Sequence, residues 1–578
     1  MRNAKIVCTI GPASEDAETL RRLLSAGMDV VRMNASHGSP EGRAALVDRV
    51  REVGGEHDGP VAIMHDVAGP EVRTAEVAEP IQIETGSTVR LAPGEDATPE
   101  TVGLTHSIAA AAPGDRVLLD DGRIETVVTA VDGETVTVRV EDGGPLPSRK
   151  GVNVPGVDLG LPVITAADRR EIELAVEKDV DFLATSFVRD GDDVYEIEEY
   201  VAELGGDLPI VAKIERADAV ENLASIVAEA DGVMVARGDL GVECPLEEVP
   251  LIQKRIVRTC NAAGVPVITA TEMLDSMVHE RRPTRAEASD VANAVLDGTD
   301  AVMLSGETAI GDYPVRVVET MDRIVRDVER SEEYAQSREQ RVPAADETRT
   351  DALARSARYL ARDVDASAVV AASESGYTAR KAAKYRPDVP IVAATPDDDV
   401  RRQLALTWGI QPRYVPYTDG GADAVIQSAV DAALAAGAVE PGETVVVLAG
   451  MMTELEGYDT ANTLKVHVAA ETLAAGRSVV EGVVSGPVVP VTDGDLGDVP
   501  EGAVLVVPRT FDGEFAGDLS RIGGIVDAHA GVTGYAAVVA RELGVPMIAD
   551  ADPGDVEAGT TVTLDAERGV VYAARPPE

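Results

Sequence analysis

Lys213 and Glu215 stand two residues apart in the apolar run IVAKIE (210–215). Side chains two apart on a strand share one face, so an ammonium and a carboxylate emerge together at its end. Asp239 follows the next such run, in VARGDLG. Two carboxylates at neighbouring strand ends suit a hard divalent cation such as Mg²⁺, which keeps positions for water and substrate oxygens. A lysine beside that cation would steady charge developing on an oxygen or on a phosphoryl group in transfer. The same spacing suits, equally well, an ion pair that closes a strand end. Gly238, just before Asp239, exposes backbone N–H groups near a helix start, a place for an anionic oxygen. Thr271, at the end of VPVITAT (265–271), reads as either a helix cap or a hydroxyl contact to substrate.

Such residues need a scaffold that brings strand ends together. Short apolar runs recur: KIVCTI (5–10), VVRMN (30–34), VAIMHD (61–66), FLATSF (182–187), IVAKIE, GVMVAR (232–237), VPVITAT and AVMLSG (301–306). Apart from one gap they start about 22–36 residues apart, the length of a strand–helix unit. Near-continuous apolar strands are buried on both faces, so the pattern predicts a (β/α)8 TIM barrel. Arg32, Asn34, Asp66, Ser186, Lys213, Glu215, Arg237 to Asp239, Thr271 and Ser305 fall at or just past the C-terminal ends of the runs, the catalytic rim of a barrel. The gap alternates apolar and polar residues between turn signals at 84–86, 120–122 and 132–133, which predicts a β-rich lid inserted in a βα loop. Beyond the barrel, SAVVAA, PIVAAT, TVVVLAG and TLKVHVA alternate with helical stretches, and short strands with Gly/Asp/Pro turns follow. The expected organisation is therefore an α/β chain. Its parts are a catalytic barrel over 1–69 and 153–335, a lid over 70–152, a C-terminal α/β domain over 345–475 and a small tail domain over 476–578.

The chain has 578 residues, with 101 Asp and Glu against 52 Lys and Arg, a net charge of −49. Its 45% hydrophobic content fills several cores. A charge of that sign excludes nucleic acid and anionic membrane surfaces as partners, since both need clustered cations. Only 8 of the basic residues are lysine, 44 are arginine, and aromatics make up 3%. That composition points to a protein working in molar salt, where dense carboxylates hold water and cations while salt screens their repulsion. Cys8, Cys244 and Cys260 are too few for a disulfide framework, which indicates a reducing compartment. With no signal-peptide core at the N-terminus and no long apolar run, a soluble cytoplasmic protein is expected.

Several long motifs, met in order, resemble pyruvate kinase: KIVCTIGPAS, DVVRMNASHG, HDVAGPEVRT, SRKGVNVPG, VAKIE, VMVARGDLGVE, TATEMLDSM and RPTRAEASDVANAVLDGTDAVMLSGETAIGDYP. The likeness runs over about 1–330 and continues, weaker, through 352–475. It implies transfer of a phosphoryl group from phosphoenolpyruvate to ADP, giving pyruvate and ATP, by a homotetramer. Lys213 matches the lysine that stabilises the enolate and the phosphoryl group in flight, and Glu215 and Asp239 match carboxylates for Mg²⁺ or Mn²⁺. Arg32 matches the arginine on the transferring phosphate; Gly238, Asp239 and Thr271 match the remaining substrate contacts. Asn34, Ser36, Asp66 and the carbonyl of Val67 match a K⁺ site. Asn34, His37, Arg73 and Lys150 match nucleotide contacts, Lys150 reaching in from the lid. Thr271 and Ser305, acting through water, are the two candidates for the proton that reaches the enolate.

Departures from the family pattern carry information. Asp66-Val67-Ala68-Gly69-Pro70-Glu71 replaces the usual Asp-Thr-Lys-Gly-Pro-Glu, and Val67 loses only a side chain where a carbonyl is the ligand. Glu71 marks the K⁺-dependent type, because members with lysine there supply the charge themselves. Ile310 stands where many relatives have lysine, removing one nucleotide contact. Ser373, Ser375, Gly376 and Thr378 match an effector-phosphate loop, but Glu374 sets an anion among them, and an ordinary helix start explains the segment equally. The stretch GGIVDAHAGVTGYAAVVARELGVPMI (523–548) resembles the swivelling phosphohistidine domain of phosphoenolpyruvate-utilising enzymes. Tyr535 takes the carrier position there, and a phenol cannot replace imidazole as carrier, so the tail reads as a structural remnant with His529 a weak substitute. A metal-enolate aldolase of the same barrel superfamily is the competing enzyme reading, opposed by Arg73 and Lys150. A catalytically silent paralogue is the third, opposed by Lys213, Glu215, Asp239 and Arg32.

Overall fold

A computed structural model of the chain describes residues 2–573 except 347, 418–420, 451–460, 471, 498, 553 and 555. Two compact units make up the chain. One comprises Met1–Asp346, Ser375–Arg386 and Asp397–Pro412; the other comprises Glu347–Glu374, Pro387–Pro396 and Arg413–Glu578.

In the first unit eight parallel strands close into a barrel. They are β1 (Lys5–Thr9), β2 (Val30–Asn34), β3 (Ala62–Val67), β4 (Phe182–Thr185), β5 (Ile210–Ile214), β6 (Gly232–Ala236), β7 (Val267–Ala270) and β8 (Ala301–Leu304). The (β/α)8 barrel expected from the apolar runs is what the chain forms. Strand alternation divides its core in two. Val7, Val30, Ala62, Met64, Phe182, Ala184, Val211, Met234, Ile268, Ala301 and Met303 fill the axis. Ile6, Val31, Ile63, Leu183, Ala212, Val233, Val302 and their neighbours face the surrounding helices. Local signals fix those helices: Thr284 and Glu287 form a capping box at the start of Arg285–Asp297, and Gly298, at φ 96°, ends it.

At the N-terminal end of the barrel one tie is made four times. The aspartate immediately before each even-numbered strand accepts a backbone N–H from the preceding odd-numbered strand. Asp29 takes Ile6 N–H at 2.8 Å, Asp181 takes Ile63 N–H at 2.6 Å, Asp231 takes Ile210 N–H at 3.0 Å and Asp300 takes Val267 N–H at 3.1 Å. Arginines accompany three of them: Arg2 on Asp29, Arg51 and Arg402 on Asp181, and Arg386 on Asp300. Asp300 also accepts the backbone N–H of Trp408, the only tryptophan, at 3.3 Å. That indole is buried, donates to Tyr334 Oη at 3.0 Å and lies 5.0 Å beneath the Arg386 guanidinium.

Between β3 and β4 a six-stranded sheet forms, in the order Val152–Asn153, Arg116–Leu119, Ile124–Asp132, Thr135–Asp142, Thr88–Pro93 and Thr101–Leu104. Ile81–Ile83 and Gly144–Leu146 pair beside it. Its own apolar core gathers Ile83, Leu91, Val102, Val117, Ile124, Val136 and Val138. The turn signals act as such: Gly86, Asp120, Asp121, Gly122 and Gly133 all have φ between 53° and 82°.

In the second unit, Ile391–Thr395, Ala368–Ala372 and Thr444–Ala449 run parallel, and Thr463–Val468 pairs antiparallel with the last of them. An eight-stranded sheet follows, in the order Thr472–Ala475, Val570–Tyr572, Thr561–Asp565, Val483–Pro490, Ala503–Val507, Ile522–Asp527, Met547–Ala549 and Arg477–Val480. The helix Tyr535–Leu543 packs on it through Ala536, Ala537, Val539 and Ala540. A strand at Ile410–Tyr414 has no counterpart among the apolar runs, because Gln411, Pro412 and Arg413 interrupt the pattern.

Candidate active site

Strand period alone decides which side chains meet at the rim. Val30, Ala62, Met64, Ala184 and Val211 point along the barrel axis. Continuing in steps of two, Arg32 and Asn34, Asp66, Ser186, and Lys213 with Glu215 point the same way. They form one connected, mostly buried cluster. Lys213 Nζ lies 2.8 Å from Glu215 Oε1 and 3.4 Å from Asp66 Oδ1, and donates to Ser186 Oγ at 2.6 Å. The Ser186 hydroxyl in turn donates a hydrogen bond to the Val67 carbonyl at 2.8 Å. Arg32 donates through Nε to Asp66 Oδ2 at 2.6 Å and through Nη1 to Thr9 Oγ1 at 2.9 Å. Glu215 Oε2 accepts the Phe187 N–H at 2.7 Å, and Phe187 holds a left-handed φ of 59° to present it. Ser186 was legible as a rim residue only; its place between Lys213 and Val67, and the parts of Thr9 and Phe187, come from the structure.

Electrostatics separate the two carboxylates. Burial alone would raise Asp66, but Arg32 and Lys213 outweigh it and hold its carboxyl below the ordinary value. Burial pushes Glu215 up to about 7, with Asp239 adding to the push and Lys213 opposing it. Burial would lower the Lys213 ammonium, yet Asp66 and Glu215 raise it above its ordinary value, so it stays charged. The buried Glu215 thus feels the charge of the half-buried Asp239, a repulsion that a divalent cation between them would relieve. Among the described residues no group of three or more His, Cys, Asp or Glu gathers as a metal cluster. Glu215 and Asp239 would be enough for Mg²⁺, which takes one or two carboxylates and completes its shell with water and substrate oxygens. Asn34 Oδ1, which accepts the Ser36 N–H at 3.0 Å, the Val67 carbonyl, which accepts the Ser186 hydroxyl at 2.8 Å, and Asp66 are oxygen donors of the kind a monovalent cation would take. Ser36 and His37 are exposed beside them.

Gly238 and Asp239 lie in the first turn of the helix Arg237–Glu243, which follows β6 directly. Thr271 caps no helix. It adopts φ 74°, and Glu272 after it φ 53°, an uncommon pair for residues with side chains, one of them β-branched. A Cβ added at Gly238 would come within 2.9 Å of Thr271 Cγ2. A Gly238→Ala side chain would therefore press on the threonine and displace it. Ser305 precedes the short helix Gly306–Ala309, and its N–H is held by the buried Glu307 at 2.6 Å.

In the loops joining barrel and lid, Arg73 is ion-paired to Glu71 at 2.6 Å and Lys150 to Asp120 at 2.8 Å. The two cations sit on neighbouring backbones: Thr74 N–H donates to the Lys150 carbonyl at 2.8 Å, and Arg73 bridges Gly151. Burial raises Glu71 above its ordinary value against the pull of Arg73, and Asp239 and Asp121 add to it.

The family model for the pyruvate kinase barrel domain matches residues 1–318, and that for the pyruvate kinase alpha/beta domain matches 351–467. A protein of Geobacillus stearothermophilus named pyruvate kinase is 42% identical over 583 residues, covering 99% of this chain and 98% of its own. Proteins of the same name from Bacillus licheniformis and Staphylococcus aureus are 41% and 40% identical, over at least 99% of both chains in each case. The chain belongs to the pyruvate kinase family.

The tail carries a further match, to the mobile domain of PEP-utilising enzymes over residues 499–569. Tyr535, at the start of the tail helix, packs edge-on against Phe515 with ring centroids 5.4 Å apart. His529 has both ring nitrogens engaged, Nδ1 with Asp527 Oδ1 at 2.7 Å and Nε2 with the Arg509 carbonyl at 3.1 Å. Neither ring nitrogen is left free for a phosphoryl group. Incubation of this pyruvate kinase family member with ³²P-labelled phosphoenolpyruvate should leave the tail unlabelled; acid-labile label recovered on a tail peptide would overturn that reading. Among the described residues no helix is long and apolar enough to cross a membrane.

Proposed function

We propose that the chain transfers the phosphoryl group of phosphoenolpyruvate to ADP, with the Lys213–Glu215–Asp66–Arg32 cluster as its centre. Family membership carries the activity, and the buried, charged state of Lys213 supports the assignment of roles. In the reaction the P–O bond to the enol oxygen breaks, an ADP β-phosphate oxygen forms the new P–O bond, and the enolate left behind takes a proton at carbon. Transfer of this kind needs alignment and charge neutralisation more than covalent chemistry. Arg32, fixed by Thr9 and Asp66, would hold the transferring phosphate. Lys213, steered by Ser186, would offset the negative charge on the enol oxygen as the bond breaks. The Gly238 amide and the Thr271 hydroxyl would hold the substrate carboxylate. Arg73 and Lys150 would leave their carboxylate partners to meet the nucleotide phosphates. Thr271 and Ser305, through water, would be the candidates to bring the proton. Glu215 and Asp239 would hold Mg²⁺ or Mn²⁺, and Asn34, Ser36, Asp66 and the Val67 carbonyl K⁺, ions that neutralise phosphate and enolate oxygens when bound.

Assembly as a homotetramer in the cytoplasm belongs to the same reading. A lactate dehydrogenase-coupled assay with phosphoenolpyruvate, ADP, Mg²⁺ and KCl tests it. ADP-dependent pyruvate release is expected. An aldolase would release pyruvate from a larger substrate without ADP, and a silent paralogue would release none.

A further inference from the structure

Arg237 immediately precedes Gly238, assigned to the substrate carboxylate, and Asp239, assigned to the divalent cation, and its side chain reaches across to the end of β7. There it makes a dense set of contacts. Nε donates to the Ala270 carbonyl at 2.9 Å, and Nη2 to the Thr271 carbonyl at 2.7 Å and the Met273 sulfur at 2.8 Å. Nη1 donates to Asp290 Oδ1 at 2.8 Å and to Gln253 Oε1 at 3.3 Å, while Nη2 lies 2.7 Å from Asp290 Oδ2. Asp290 sits on the helix Arg285–Asp297 and Gln253 on the helix Val249–Ala263, so two helices anchor the guanidinium from behind. Its front holds two successive carbonyls at the point where the chain enters the left-handed region, Thr271 at φ 74° and Glu272 at φ 53°. Such a conformation persists only where the surroundings over-determine it. A planar fork with five donors can fix two carbonyls and a carboxylate at once; an ammonium cannot.

From this we infer that Arg237 is a positioning residue for substrate: its guanidinium, braced by Asp290 and Gln253, holds the Ala270–Thr271 backbone so that the Thr271 side chain stands against Gly238. The inference rests on the proposed role of Gly238 and Thr271 at the substrate carboxylate. The end of β7 and the helix after β6 are thereby locked to each other through one side chain that touches no substrate. Loosening it should cost recognition of phosphoenolpyruvate selectively, because the Arg73 and Lys150 side of the site is built on other elements.

The test uses the full-length chain carrying Arg237→Lys, and separately Asp290→Asn, which releases the guanidinium while leaving it in place. For Arg237→Lys the KM for phosphoenolpyruvate is expected to rise more than about tenfold with KM for ADP within about twofold of wild type. Asp290→Asn should shift the same constant in the same direction by less. Calorimetric binding of phosphoenolpyruvate without ADP should weaken by the same factor as the KM rises. A lowered melting temperature with unchanged phosphoenolpyruvate binding would show a structural role alone and overturn the inference, and so would an equal rise in both KM values. A wild-type chain that binds phosphoenolpyruvate without phosphorylating ADP would overturn the functional reading and leave the binding test of Arg237 intact.

Discussion

Lys213→Met is expected to lower kcat by more than about a hundredfold, roughly 3 kcal/mol of transition-state stabilisation, with a much smaller change in KM for phosphoenolpyruvate. The asymmetry follows from the cluster. Arg32 keeps its anchors on Asp66 and Thr9 without the lysine, so a phosphate still finds its partner. What disappears is the ammonium set between Glu215 and Asp66, the group able to answer charge that arises only as the bond breaks. Glu215, already raised to about 7 by burial with Asp239 adding to it, loses its opposing cation and should take up a proton near neutral pH. Single-turnover rates on protein whose circular dichroism matches wild type would decide the matter. A variant that keeps wild-type kcat would remove Lys213 from the mechanism.

The second large effect concerns the monovalent cation. Turnover in KCl should exceed turnover in NaCl at the same ionic strength by more than about tenfold, near 1.4 kcal/mol. Position 71, which the family resemblance links to K⁺ dependence, carries a glutamate and not a lysine. Here Glu71 holds Arg73 at 2.6 Å, so that pair adds no net positive charge. Glu71→Lys should narrow the ratio between the two salts, and equal rates in both salts for the wild type would contradict the proposal. The same salt serves the surface. At about 1 M the Debye length is near 3 Å, short enough to quiet repulsion within a chain of net charge −49. We propose that the excess of arginine and acid reflects that setting.

Much of the site could be read in the sequence because it obeys strand period. Arg32, Asp66, Lys213 and Glu215 each end an apolar run, and a side chain that follows axis-facing residues in steps of two must point to the same mouth. The lid announced itself through turns whose Asp and Gly residues take positive φ. Other features left no such mark. The left-handed backbone at Phe187 and Thr271 is imposed by partners distant in sequence, Glu215 and Arg237, and neither residue type favours it. Arg237 itself sits inside a strong motif, which hid that its side chain reaches across to the end of β7. The four aspartates beneath the barrel each precede a strand, where attention to strand C-terminal ends passes them over. Their regularity appears only once odd and even strands are known to be neighbours.

One consequence follows from where the sole tryptophan lies. Trp408 is buried over Tyr334 and tied to Asp300, at the end of the barrel opposite Lys213. Excitation near its absorption band therefore reports a single location. Native emission should be blue-shifted, and a red shift should mark water reaching the base of β8 and nothing else. Optical unfolding traces would thus follow the barrel floor, leaving the rim open to independent probes such as ligand calorimetry, and a cation that stabilises the rim alone would raise catalytic lifetime before it moved the fluorescence midpoint.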